Sequence, residues 1–273
     1  MEQTELRLAL AMNGGVSLAV WMGGVSHEIY EFDRQDLIAS DKGITQADGA
    51  YREFLTLTQT TVQVDVIAGA SAGGINGAFL AGAMARNGQL AGLRTIWLDK
   101  GGLLSLLRSA SETNPPSLMN GDGYFLPQLQ EAFLSVVRDD AAGSSTVPIN
   151  LFMTTTLLEP KRVLLKDDFG GAVPDTDFHG HFTFNRVPDA GGTDDFAADD
   201  LAAKLALASR STASFPGAFE ASTVPVTETK DKFHPNMKSV FNTVETGYVM
   251  DGGVLVNKPI GPALTARISL GCP

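Results

Sequence analysis

A single cysteine, Cys272, rules out a disulfide within the chain and biases the reading toward the cytoplasm without fixing the compartment. Basic residues are scarce: 20 Lys and Arg face 31 Asp and Glu, for a formal net charge of −11. A nucleic-acid partner requires a basic surface to neutralise phosphate, so that class is excluded. Tight electrostatic attachment to an anionic membrane is excluded on the same ground. Transient contact with a membrane or micelle, while a lipid is withdrawn from it, is not. No apolar run approaches the roughly 20 residues of a bilayer-spanning helix. The start, Met1-Glu2-Gln3-Thr4-Glu5, is acidic and leads straight into an apolar strand, with no secretory leader pattern. A cytoplasmic protein is expected. Histidine is sparse too, limited to His27, His179, His181 and His234. The His179/His181 pair lies among acidic residues but lacks a further ligand at a recognisable spacing, so neither metal nor cofactor is expected.

What is present suits a globular core, with 44% hydrophobic and 19% charged residues. Short apolar runs alternate with longer helical segments, the pattern of an α/β domain, here one domain over residues 1–273. A first strand, Leu6 to Met12, ends at Asn13-Gly14-Gly15, and a helix follows to Phe32. A second strand, Val62 to Ala68, breaks at Gly69 and re-enters a helix that Asn87-Gly88 stops near Arg86. Residues 148–158 and 162–165 read as two further strands, 196–209 as a helix, and Tyr248 to Met250 as a short strand ending at Asp251-Gly252-Gly253. Glycine, proline and acidic residues mark 99–123 and 166–195 as surface loops, or as a lid over an apolar cleft.

Three turns carry the chemistry. Gly69-Ala70-Ser71-Ala72-Gly73 fits G-x-S-x-G, a pattern that is weak alone and gains weight from its place between a strand and a helix. There a sharp turn lifts the serine hydroxyl clear of the sheet, and the helix start behind it points N–H groups at the site. The bland alternative is a tight glycine turn with an idle serine. Asn13-Gly14-Gly15-Val16-Ser17 also joins a strand to a helix, and its backbone donors suit a developing oxyanion. The same geometry binds phosphate, although no Walker lysine follows and the dinucleotide spacing is absent. Asp251-Gly252-Gly253 is by itself an ordinary turn. Paired with the other two it offers a carboxylate able to take a serine proton directly.

With these elements in this order, the chain resembles the patatin-like phospholipases over residues 5–262. The segment Ala208 to Phe219, rich in Ala and Ser and closed by Pro216 and Phe219, is a further likeness. One departure stands out: the family's first turn reads G-G-G-x-R/K-G. In one register Asn13 replaces a glycine and Ser17 the basic residue; in another Val16 replaces a glycine and Leu18 the basic residue. In either the basic residue is absent. The chain also ends soon after Asp251, as a truncated version of the family would. The resemblance implies a three-layer α/β/α sandwich around a mostly parallel sheet, and hydrolysis of carboxylic esters of lipids. It implies Ser71 as nucleophile, Asp251 as base, and the N–H groups of Gly14, Gly15, Val16 and Ala72 as the oxyanion hole, within motifs framed by Asn13, Gly69, Gly73, Gly252 and Gly253. Two rivals remain open, a Ser-His-Asp α/β-hydrolase and a catalytically silent lipid-binding module of the same fold.

Overall fold

A computed structural model describes residues 4–34, 46–90, 93, 96–137, 147–187 and 193–269. Cys272, the start at Met1 to Gln3 and the end from Leu270 lie outside the described residues. Helices and strands alternate as the apolar pattern predicts. Strand β1 is Thr4–Met12, followed by helices α1 (Ala19–Asp33) and α2 (Gln46–Thr58). Strand β2 (Thr60–Gly69) leads into α3 (Ala72–Arg86), and α4 spans Leu126–Val136. After β3 (Ile149–Lys166) and β4 (Ala172–Arg186) come α5 (Leu201–Thr212), β5 (Ser222–Val224), β6 (Gly247–Asp251) and α6 (Ile260–Ser269).

The six strands described form one sheet in the order β1-β2-β3-β6-β5, with β4 also paired to β3. Strands β1, β2 and β3 run parallel, while β4 and β6 run antiparallel to β3. Helices cover both faces. On one, Ile67 joins the main core with Phe79, Phe133 and Leu205 of α3, α4 and α5. On the other, Val66 and Ala68 pack with Ala263 of α6. This is the expected α/β/α sandwich. Buried on both faces, β2 reads as a continuous apolar run rather than an alternating one. Helix α3 is buried from Ala72 to Ala85, so it too is apolar all round. A Cβ on its Gly77 would come within 2.9 Å of Ile67 Cγ2, which is how close the helix lies to its strand.

Two sequence expectations are corrected. Residues 166–195 are not simply a loop: they contain β4, which pairs with β3 from Ile149↔Arg186 to Lys166↔Ala172. Asp and Gly are depleted in strands, so Asp175, Asp177 and Gly180 mask the alternation that buries Gly180, Phe182, Phe184 and Arg186. The strands expected at 148–158 and 162–165 are one strand, β3. Pro160, which reads as a break, sits in the register shift between Thr156 and Lys161, and a bulge tolerates proline. Residues 99–123 hold a one-turn helix, Leu103–Leu106, amid loop. Among the described residues, no helix is long and apolar enough to cross a membrane.

The pairing of β3 decides where the turns meet. Strand β4 occupies one edge of β3 along its length, so β2 and β6 share the other. Gly69 of β2 lies opposite Met153 and Asp251 of β6 opposite Thr155, only two residues further along β3. The two strands therefore abut, carboxyl end to carboxyl end.

Candidate active site

Ser71 occupies the gap between those ends. Its backbone is at φ 51 and ψ −125, outside the regions open to an L-residue without strain. The turn leaves no room for a side chain at Gly69 or Gly73. A Cβ on Gly69 would lie 2.6 Å from the Gly73 carbonyl oxygen, and one on Gly73 only 2.2 Å from that of Met12. The Ser71 N–H donates to Thr212 Oγ1 at 2.9 Å, and that hydroxyl donates to the Thr154 carbonyl at 2.6 Å. One side chain from α5 thus ties the turn to β3.

Asp251 is 2% exposed. Its Oδ2 accepts the Ser71 Oγ–H at 2.7 Å, and its Oδ1 accepts the Gly253 N–H at 2.6 Å. The backbone is fixed as well: Asp251 N–H donates to the Ser214 carbonyl at 3.0 Å, and Thr156 Oγ1 donates to the Asp251 carbonyl at 2.9 Å. Burial raises the carboxyl above its ordinary value, and the two hydrogen bonds from Ser71 and Gly253 offset this only in part. Gly252 fits because a Cβ there would meet the Thr154 carbonyl oxygen at 2.2 Å.

The first turn arrives beside Ser71 because β1 pairs with β2 to the end, Met12 opposite Gly69. The Asn13 carbonyl oxygen lies 2.6 Å from where a Gly73 Cβ would be, so Asn13 enters the site through its backbone. A Cβ on Gly14 would meet Ser71 Cβ at 3.0 Å. Gly15 has φ 154, a conformation that favours glycine. Among the described residues, the N–H groups of Gly15, Val16 and Ala72 have no protein acceptor. Gly14 differs from expectation: its N–H is occupied by Asn257, with Oδ1 at 2.9 Å and the carbonyl oxygen at 3.3 Å.

None of the four histidines bonds to Ser71 or Asp251. His27 is half-buried on α1. His179 and His181 lie on β4, not in a loop. His179 pairs with Asp177 at 2.7 Å, and His234 pairs with Asp231 at 2.6 Å. His181 stacks on Phe152 and contacts Asn242; burial, with Lys161 nearby, lowers it to about 4, so it stays neutral. Among the described residues, no group of three or more His, Cys, Asp or Glu is placed to hold a metal ion.

Sequence reasoning missed the supports. Arg210 on α5 is fully buried, with its Nε 3.2 Å from Asp122 and its Nη2 3.4 Å from Glu220. Gly121 makes the room, since a Cβ there would collide with the guanidinium at 2.0 Å. Burial alone would raise Glu220, but hydrogen bonds from Ser117 and Asp122, with the Arg210 charge, hold it at about 2. This network anchors the end of α5, from which Thr212 and Ser214 reach Ser71 and Asp251. An arginine inside an Ala- and Ser-rich apolar helix was the available signal. Close in sequence to the three turns and to Ser214, Val16, Leu18, Phe215, Val254 and Leu255 are exposed. The segments 13–25, 213–219 and 252–257 that carry them contain no charged residue.

A family model described as patatin-like phospholipase matches residues 10–264. An uncharacterized membrane protein of Mycobacterium tuberculosis is 37% identical over 281 residues, covering 94% of this chain and 25% of that protein. The chain thus spans about a quarter of that relative's length. No solved structure matches.

Proposed function

The chain belongs to the patatin-like phospholipase family, and from that premise we propose that it hydrolyses carboxylic esters of lipids through a Ser71–Asp251 dyad, without metal or cofactor. The observation that carries this reading is the 2.7 Å hydrogen bond from Ser71 Oγ to a buried carboxylate. As Oγ attacks the ester carbonyl carbon, its proton passes to Asp251 Oδ2, and the carbonyl π electrons move onto oxygen. The free N–H groups of Gly15, Val16 and Ala72 stabilise that oxyanion. Collapse breaks the bond to the alcohol, which leaves with the proton from Asp251. A water, deprotonated by the same carboxylate, then attacks the acyl carbon; collapse of this second intermediate breaks the bond to Ser71 Oγ, which takes the proton back from Asp251 as the fatty acid leaves. The uncharged segments that carry the turns favour an apolar acyl chain and transient contact with a membrane or micelle.

The contact that supports a dyad over a triad is direct: the serine hydroxyl donates to the carboxylate, and each histidine is engaged elsewhere or remote. Measured on a soluble short-chain ester, Ser71→Ala lowers turnover by at least about three orders of magnitude with the fold intact. Turnover near wild type in folded Ser71→Ala would overturn Ser71 as the nucleophile, whereas folded wild-type protein without turnover would point to the silent lipid-binding module.

A further inference from the structure

The reaction above makes no use of Asn257, yet this side chain holds the first turn. It follows β6 in a segment fixed at both sides: Val256 N–H donates to the Gly252 carbonyl at 2.8 Å, and Pro259 is buried. Thr154 Oγ1 donates to the Val256 carbonyl at 3.2 Å. Asn257 is exposed but not loose. Its Oδ1 accepts the Gly14 N–H at 2.9 Å, and its carbonyl oxygen backs that contact at 3.3 Å. The same Oδ1 lies 2.3 Å from where a Gly14 Cβ would be and 3.0 Å from where a Gly253 Cβ would be. It therefore sits between the oxyanion turn and the turn that carries Asp251.

The first turn needs such an anchor. Its glycines have no side chains to pack, and the basic residue of the family pattern is absent. Backbone donors help a developing oxyanion only when fixed in advance, and a displacement of about 1 Å costs on the order of a hundredfold in rate. A hydrogen bond on the Gly14 N–H fixes the Asn13–Gly14 peptide plane. That leaves the next donors of the turn, Gly15 and Val16, without protein acceptors among the described residues. We propose that Asn257 is a positioning residue: it removes Gly14 from the donor set and clamps the turn so that the Gly15 and Val16 N–H groups meet the oxyanion. This rests on the dyad reading.

The opposite role is a stopper, in which Asn257 blocks a donor that the reaction wants, and the two differ in sign. Steady-state kinetics on a soluble ester should show Asn257→Ala lowering kcat by about 10- to 100-fold, with KM within about threefold. Thermal stability and the acid limb of the kcat–pH profile should stay in place, because the Asp251 carboxylate keeps its own contacts. Asn257→Asp retains an oxygen for the Gly14 N–H. With its added charge screened at about 0.5 M salt, it should recover most of the lost turnover. Faster turnover of Asn257→Ala identifies a stopper and overturns the proposal. So do unchanged turnover, a loss carried by KM, or an Asn257→Asp variant no better than Asn257→Ala. Failure of the dyad reading shows separately, as unimpaired Ser71→Ala, before any Asn257 variant is made.

Discussion

Ser71 holds a backbone conformation that costs a non-glycine residue on the order of 1–3 kcal/mol, and Asp251 holds a charge that burial disfavours. Both costs are maintained by neighbours, Thr212 on the serine N–H and Gly253 on the carboxylate. The raised Asp251 carboxyl has two opposite consequences. As the proposed base it must be ionised, so kcat should fall as pH drops through a value above the ordinary aspartate range. As a buried group it binds its proton more tightly folded than unfolded, so its contribution to stability is present at low pH and is lost as pH rises. Asp251→Asn, inactive but neutral and isosteric, should therefore melt at a higher temperature than wild type at pH 7. That advantage should disappear at a pH low enough to protonate Asp251. Equal melting temperatures at pH 7 would show that the carboxylate is better compensated than its burial implies. These two residues were legible in the sequence because each ends a strand at a glycine turn. Asn257 and Thr212 were not, since neither lies in a turn motif and both act through atoms distant in sequence.

At the level of elements, the end of α5 joins everything that matters. Thr212 accepts from Ser71 and donates to β3, while Ser214 takes the Asp251 N–H. Thr212→Val keeps the shape but removes the hydroxyl from a fully buried site. It leaves the Ser71 N–H and the Thr154 carbonyl without that partner, a cost of about 1–3 kcal/mol. Denaturant unfolding should register that loss, and kcat should fall as the serine turn relaxes. An unchanged variant on both counts would remove α5 from the support of the site. Strand existence was readable where β-branched residues run together, as in β2. It failed at β4, whose half-buried strand is built from Asp, Gly, His and Phe, and only pairing with β3 makes it a strand. Helix α5 was expected in nearly the right place, but its buried Arg210 depends on Gly121, Asp122 and Glu220 from other segments.

At the scale of the whole molecule, alternation of strand and helix was enough to read an α/β domain, the family resemblance implied its three layers, and the order of three turns was enough to suggest which residues meet. How they meet was hidden. Nothing local in β2 or β6 encodes that they share one edge of β3 and abut end to end, because an edge is chosen by every other strand in the sheet. That abutment sets the Ser71 hydroxyl 2.7 Å from the Asp251 carboxylate with no histidine between them, the contact on which the proposed dyad rests. Labelling with a fluorophosphonate, followed by mass spectrometry of the modified peptide, tests it most directly. Wild-type protein and a variant with His27, His179, His181 and His234 all replaced by Gln should both carry the adduct on Ser71. Asp251→Asn should react at least about a hundredfold more slowly. Rapid labelling of Asp251→Asn, or its loss in the folded histidine variant, would contradict the dyad.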